Sequence, residues 1–165
     1  MAGYDRFTAD GKKFFKELEE LAKMEVKVGF TEEKSGFNAR HDAVSANDSE
    51  SGATMAEIAA FNELGTSGMP SRPFLRNAYD NNAQNIEAMC AEQVKQLVNG
   101  KTTAEKALKA IGALQVGLIQ SEIRDGTFEP NKESTIKRKK SDNTLIDTGT
   151  MRQSVHYVVK KKERS

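Results

Sequence analysis

Residues 54–76, TMAEIAAFNELGTSGMPSRPFLR, constrain this chain more than any other stretch. They read as a short helix, a tight turn and the entry to a longer helix. Thr54 and Glu57 have capping-box spacing, in which the hydroxyl accepts from a backbone N–H and the carboxylate reaches back. Ile58, Phe61 and Leu64 recur on one helical face. Gly65 follows the last apolar residue, where a left-handed cap suits a residue without Cβ. Residues 66–71 are small and include Gly68 and Pro70, which is turn chemistry. Ser71 is placed to cap the next helix, and Pro73 to sit in its first turn, where a missing N–H costs nothing. The expectation is a rigid elbow made by Pro70, Arg72, Pro73, Phe74, Leu75 and Arg76. Phe74 and Leu75 pack into the core, while Arg72 and Arg76, one helical turn apart, pair with carboxylates such as Glu57 or Glu63.

The flanks supply the other elements. A first helix is expected over 7–24, with Phe14, Leu18 and Leu21 as its apolar stripe. The period then changes to two, and Val26, Val28 and Phe30 mark a half-buried strand. Residues 31–53 are polar and hold few apolar anchors, so burial there cannot offset ordering entropy. They are expected to form a long arm or loop, ordered by a neighbouring subunit or by strand pairing.

After the elbow one long helix is expected over 73–98, with Leu75, Ala78, Tyr79, Ile86, Met89, Cys90 and Leu97 along its stripe and Asn82 and Gln93 interrupting it. Thr102 and Glu105 repeat the capping-box spacing and open a third helix that runs to about Arg124. In it Leu108, Ile111, Leu114, Leu118 and Ile119 face inward, and Gly112 and Gly117 either allow close helix approach or are merely tolerated. The short connection between these two helices favours antiparallel packing. Residues 128–141 read as a surface segment. Asp147 is placed to cap a short helix beginning at Thr148 or Gly149, with Met151 as its anchor, and a strand follows over 155–159. The tail at 160–165 is basic.

Length and chemistry narrow the function. A chain of 165 residues is one domain by size. Its net charge of +1 names no partner, but the charge is unevenly spread. Residues 1–65 carry 8 Lys/Arg against 13 Asp/Glu, and residues 131–165 carry 10 against 4. Such polarity helps copies associate head to tail, or places a basic rim near phosphates. The single cysteine, Cys90, forbids an intrachain disulfide. No apolar run approaches the length of a membrane span, and residues 1–15 lack a signal-peptide segment, so synthesis in a reducing cytoplasm is expected. His41 and His156 share no metal-ligand spacing, no catalytic triad motif is present, and GTSGMPS lacks the lysine of a phosphate-binding loop. No catalytic residue, metal ligand or cofactor site is therefore assigned, and an enzyme is not expected. Lys137, Arg138, Lys139 and Lys140, with the lysines of 160–162, are candidates for phosphate contact. Without interleaved aromatics, such contact would be indifferent to sequence.

Four strings, in order, resemble a family of tailed-bacteriophage proteins. VKVGF at 26–30 resembles that family's first strand, and AEIAAFNELGT at 56–66 its helix ending in an acidic residue, an apolar residue and glycine. MPSRPFLR at 69–76 resembles its proline-arginine-proline elbow. LIDTG at 145–149, followed by Met151, Arg152 and Ser154, resembles its near-C-terminal motif, in which Asp147, Thr148, Gly149 and Met151 fall. Residues 128–139 are a weaker fifth match. The family is that of tail-completion or head–tail joining proteins, grouped with lambda's minor tail protein Z and the Mu-type virion morphogenesis proteins.

The resemblance implies a structural virion protein at the neck, made in the host cytoplasm and built into the particle. It implies repeated copies in a ring, six by analogy, touching tail-terminator, tail-tube or head-connector proteins and the end of the phage DNA. On this reading Glu32, Glu33, Asp42, Asp48 and Glu50 of the arm meet basic residues of the next copy. The competing class is a non-sequence-specific DNA-binding protein using the basic C-terminal segment. Either way the expected fold is α+β: a small, mainly antiparallel sheet packed against two or three long helices, in one domain over 1–165 with its arm at 31–53.

Overall fold

A computed structural model describes residues 8–30, 54–130, 133, 145 and 149–163. Their elements run α1 (Ala9–Lys23), β1 (Met24–Gly29), α2 (Met55–Leu64), α3 (Phe74–Asp80), α4 (Ala83–Val98), α5 (Ala104–Asp125), α6 (Thr150–Ser154) and β2 (His156–Lys161). The architecture is α+β, with a two-stranded antiparallel sheet against helices.

The sheet joins distant parts of the chain. Met24 faces Lys161, Val26 faces Val159 and Gly29 faces His156. The expected strands are thus each displaced. Phe30 has left the ladder and packs edge-on against Phe74, with ring centroids 6.1 Å apart at 85°. Val155 is buried at the end of α6. Lys160 and Lys161, expected in the tail, belong to β2, and the Lys162 N–H donates to the Lys23 carbonyl at 2.8 Å. The reason is register: once Val26 stands opposite Val159, antiparallel pairing carries on outward to Met24 and Lys161.

α5 is the axis of the fold. It packs against both strands and against α1, α3, α4 and α6. Its cap is Thr103, one residue beyond the expected Thr102, with the hydroxyl accepting from the Lys106 N–H at 3.4 Å. Glu105 does not complete a capping box and pairs with Lys109 instead. The Ala104 N–H donates to the Glu17 carboxylate at 2.8 Å, so α1 adds a carboxylate to the one Glu105 places in the first turn of this helix. α1 itself starts at Ala9 on a Thr8 cap, and Phe14, Leu18 and Leu21 are half-buried.

The long helix expected over 73–98 is broken. Asn82 has φ −123° and ψ 15°, outside the helical region. Its side-chain amide donates to the Ala78 carbonyl at 3.0 Å, while its backbone N–H turns to the Tyr79 carbonyl at 3.1 Å. An asparagine side chain that takes the carbonyl due to a backbone N–H ends a helix in this way. The break lets α3 and α4 follow α5 in separate directions.

The core gathers Ala59 of α2, Phe74 and Ala78 of α3, Ile119 and Ile123 of α5, Leu145, Met151 of α6 and Val155. Val28, Phe30, Ile58, Leu75 and Phe128 pack around it.

The two glycines of α5 have different duties. A Cβ on Gly112 would stand 2.7 Å from Tyr157 Cγ and 2.9 Å from Val26 Cγ2, so the helix crosses the sheet at this point. A Cβ on Gly117 would meet nothing within 4 Å. Alanine in place of helical glycine gains about 1 kcal/mol of propensity, whereas overpacking costs about 1–3 kcal/mol. Gly117→Ala is therefore expected to raise the urea midpoint and Gly112→Ala to lower it. Shifts of the same sign in both variants would contradict the crossing at Gly112.

Candidate functional site

The elbow is the site on which the sequence concentrates its constraints. α2 opens on a complete capping box: the Glu57 N–H donates to Thr54 Oγ1 at 3.3 Å and the Thr54 N–H to Glu57 Oε2 at 2.8 Å. It closes on Gly65 at φ 76°, where a Cβ would stand 2.8 Å from the Ser71 nitrogen. Conformation and space both demand glycine there. Thr66 and Met69 exchange backbone bonds of 2.8 and 3.2 Å around the turn.

The chain then returns along the end of α2. The Ser71 hydroxyl donates to the Glu63 carbonyl at 2.7 Å, and the Arg72 N–H to the Asn62 carbonyl at 2.7 Å. Pro73, at φ −77° and ψ 62°, lets the Phe74 N–H reach the Arg72 carbonyl at 2.8 Å, an inverse γ-turn. Pro73 thus precedes α3, rather than lying in its first turn, and Ser71 does not cap it. The cap is Glu63, whose carboxylate accepts from the Leu75 N–H at 2.8 Å and the Arg76 N–H at 3.2 Å. A carboxylate there satisfies two orphan donors and faces the positive end of the helix.

The expected Arg–carboxylate pairs are accordingly replaced. Glu57 is committed to Thr54 and Glu63 to α3. Arg72, only 3% exposed, donates through Nε to the Glu129 carbonyl at 3.1 Å and through Nη1 to Asn62 Oδ1 at 3.5 Å. Burial lowers its pKa and the charge of Glu129 partly restores it. Arg76 is exposed. Phe74 is fully buried and Leu75 partly so, as expected, and Pro70 is half-buried.

α2 is turned differently from the sequence reading. Met55, Ile58 and Ala59 face the core, whereas Phe61 is 48% and Leu64 70% exposed. Its last two turns present Ala60, Phe61 and Leu64 to solvent. Tertiary packing buries the face with small Ala59 at its centre, which also leaves Asn62 Oδ1 3.5 Å from Arg72 Nη1.

At the other motif, Met151 is buried in the core and Gly149, at φ 80°, stands at the start of α6 without a side-chain cap. The helix begins at Thr150, later than expected. Asp147 and Thr148 lie outside the described residues. So do Lys137, Arg138, Lys139 and Lys140, and the arm residues Glu32, Glu33, Asp42, Asp48 and Glu50. Among the described residues no three His, Cys, Asp or Glu side chains are grouped to hold a metal ion, and no helix is long and apolar enough to cross a membrane.

Sequence reasoning missed Asn62 and Glu129 as parts of the elbow, and named Glu63 as an arginine partner where it caps α3. The FNELG string puts Asn62 and Glu63 just before the turn, which is their only local signal. No protein-family model, curated protein or solved structure matches this chain.

Removing the Phe74 ring should cost about 3–5 kcal/mol by urea denaturation, the range for a buried phenylalanine cut to alanine. Glu63→Gln should cost about 1 kcal/mol, as for other lost caps. An unchanged midpoint in either variant would contradict the packing described. The backbone N–H of Thr54, then its hydroxyl, holds the Glu57 carboxyl below the usual carboxylate range. Its contribution to stability is thus full above that range and lost as pH falls through the lowered value. The stability gap between the native chain and Glu57→Gln should narrow on acidification below about pH 4.

Proposed function

We propose that this chain is a structural virion protein of a tailed phage, which completes the tail and joins it to the head as one subunit of a ring at the neck. The reading rests on the resemblance of four ordered strings. One observation carries it further: those strings supply one core. Val28 and Phe30 come from the first string, Ile58 and Ala59 from the second, Phe74 and Leu75 from the third, and Leu145 and Met151 from the fourth. The four strings that carry the resemblance thus contribute to one packed unit. The outward face of α2 supports self-association, since Phe61 and Leu64 are adjacent large apolar side chains left open to solvent. In this reading the chain acts by fitting its neighbours and not by catalysis. The acidic residues of 31–53 meet basic residues of the next copy, which closes the ring head to tail.

The test is genetic and structural together. A phage lacking this gene should accumulate filled heads and separate tails, and the protein supplied in trans should restore joined particles. Phe61→Lys with Leu64→Lys should keep the melting temperature of the free protein but fail to restore joining. Infectious particles assembled without the protein would refute the reading.

A further inference from the structure

The outer edge of β1 carries backbone groups that the fold does not use. The Lys162 N–H donates to the Lys23 carbonyl, and antiparallel pairing alternates from there. Lys23, Glu25, Lys27 and Gly29 therefore turn their backbone groups toward β2, while Met24, Val26 and Val28 turn theirs away. The Met24 N–H goes to the Leu21 carbonyl. Among the described residues nothing pairs with the N–H and C=O groups of Val26 and Val28, and β1 has no strand neighbour but β2.

Val28 also lines a cavity of about 190 Å3. The other walls include Leu75 and Tyr79 of α3, Ile86 of α4, and Gln115 and Ile119 of α5. Tyr79 is 59% exposed, so the cavity opens to solvent on that side. An apolar cavity of about 150 Å3 is enough to take benzene, so there is room for one aromatic side chain. Strand alternation decides what can reach it. A Cβ on Gly112 would meet both Val26 and Tyr157, so the even-numbered residues of β1 face α5. In an added strand, the residue opposite Val28 points to that same face and toward the cavity. Glu25 and Lys27 point to the other face, where β2 puts Lys160 opposite Glu25 but only Val158 opposite Lys27.

We propose that the β1 edge and this cavity form a docking site for an extended segment of another polypeptide, which adds as an antiparallel third strand. The guest residues opposite Val26 and Val28 exchange backbone hydrogen bonds with them, and the cavity supplies specificity. Charge complementarity sets the order of the guest. Read from its N-terminus, it carries an aromatic residue opposite Val28, an acidic one opposite Lys27, a branched apolar one opposite Val26 and a basic one opposite Glu25. A second folded copy does not fit this edge. Its β1 would bring its own α5 to the face where α3 and α4 already flank Val28. The site does not rest on the neck reading, since it needs only the edge and the cavity.

The experiment uses the full-length protein, labelled with nitrogen-15, and a capped synthetic peptide in which phenylalanine, glutamate, valine and lysine follow in that order. The Val26 and Val28 amide signals should shift saturably, and their hydrogen exchange should slow at saturation. Proline in place of the peptide's valine removes the N–H that faces Val26 and should abolish binding. Alanine in place of its phenylalanine should weaken binding about tenfold, as for an aromatic anchor lost from a pocket. Exchanging the peptide's glutamate and lysine should weaken binding several-fold, and Lys27→Glu should remove or reverse that preference. The proposal is overturned if the peptide gives no saturable shift at Val26 and Val28, if the proline or alanine peptide binds as well, or if Lys27→Glu leaves the preference unchanged. It is equally overturned if those two amides are protected from exchange before peptide is added. Protection in a monomer would mean that the chain closes its own edge, and protection in a dimer by sedimentation that a second copy does.

Discussion

One carboxylate fixes the angle on which the rest of this structure depends. Glu63, at the end of α2, accepts from the first two free N–H groups of α3 and binds the returning chain through its own carbonyl. α3 has no side-chain cap of its own, because Pro73 spends its position on an inverse γ-turn. Without Glu63 those donors would have to find water beside a buried Phe74. The same device recurs at α5, where Glu17 of α1 takes the Ala104 N–H. In both places a carboxylate from another element takes N–H groups at a helix terminus, alone at α3 and beside the local Thr103 cap at α5. Capping then contributes to tertiary order as well as to helix stability, and the helices hold their relative directions through short polar contacts at their ends.

The legible parts of the fold were those whose chemistry is local. The capping box of Thr54 and Glu57 spans three residues, and Gly65 follows its helix directly, so both could be read from adjacent letters. The burial of Phe74 and the alternation around Val26 and Val28 were legible for the same reason. The face of α2 was not, because apolar residues lie on both sides of it. Met55, Ile58 and Ala59 compete with Phe61 and Leu64, and only tertiary packing decides between them. The break at Asn82 was visible as a polar interruption but not as an end. Its amide takes a carbonyl that a continuing helix would have used, and periodicity does not register such competition.

The candidate site was half legible in the same sense. Its core residues were identified, whereas of its polar partners only Glu63 was named, and as an ion-pair partner rather than a cap. Arg72 illustrates why. An arginine beside glutamates invites an ion-pair reading, yet both glutamates are occupied by backbone N–H groups. The buried guanidinium turns to the carbonyl of Glu129, 57 residues away in sequence. Buried charge is settled by which acceptors the fold brings close, and a backbone carbonyl leaves no trace in the sequence. The same elbow leaves Phe61 and Leu64 outside, which links the packing choice in α2 to an exposed apolar surface.

The pairing of β1 with β2 has a consequence for how the protein is made. Val26 finds its partner only when Val159 exists, and α5, which lies across both strands, comes between them in the chain. On the ribosome, at roughly 5–20 residues per second, β1 waits on the order of ten seconds for the strand that completes its sheet. During that interval Val26 and Val28 lack the strand they pair with, while the intervening helices can already form. The nascent chain therefore carries an open strand edge through most of its synthesis. Closure of the sheet therefore has to wait until β2 has been made.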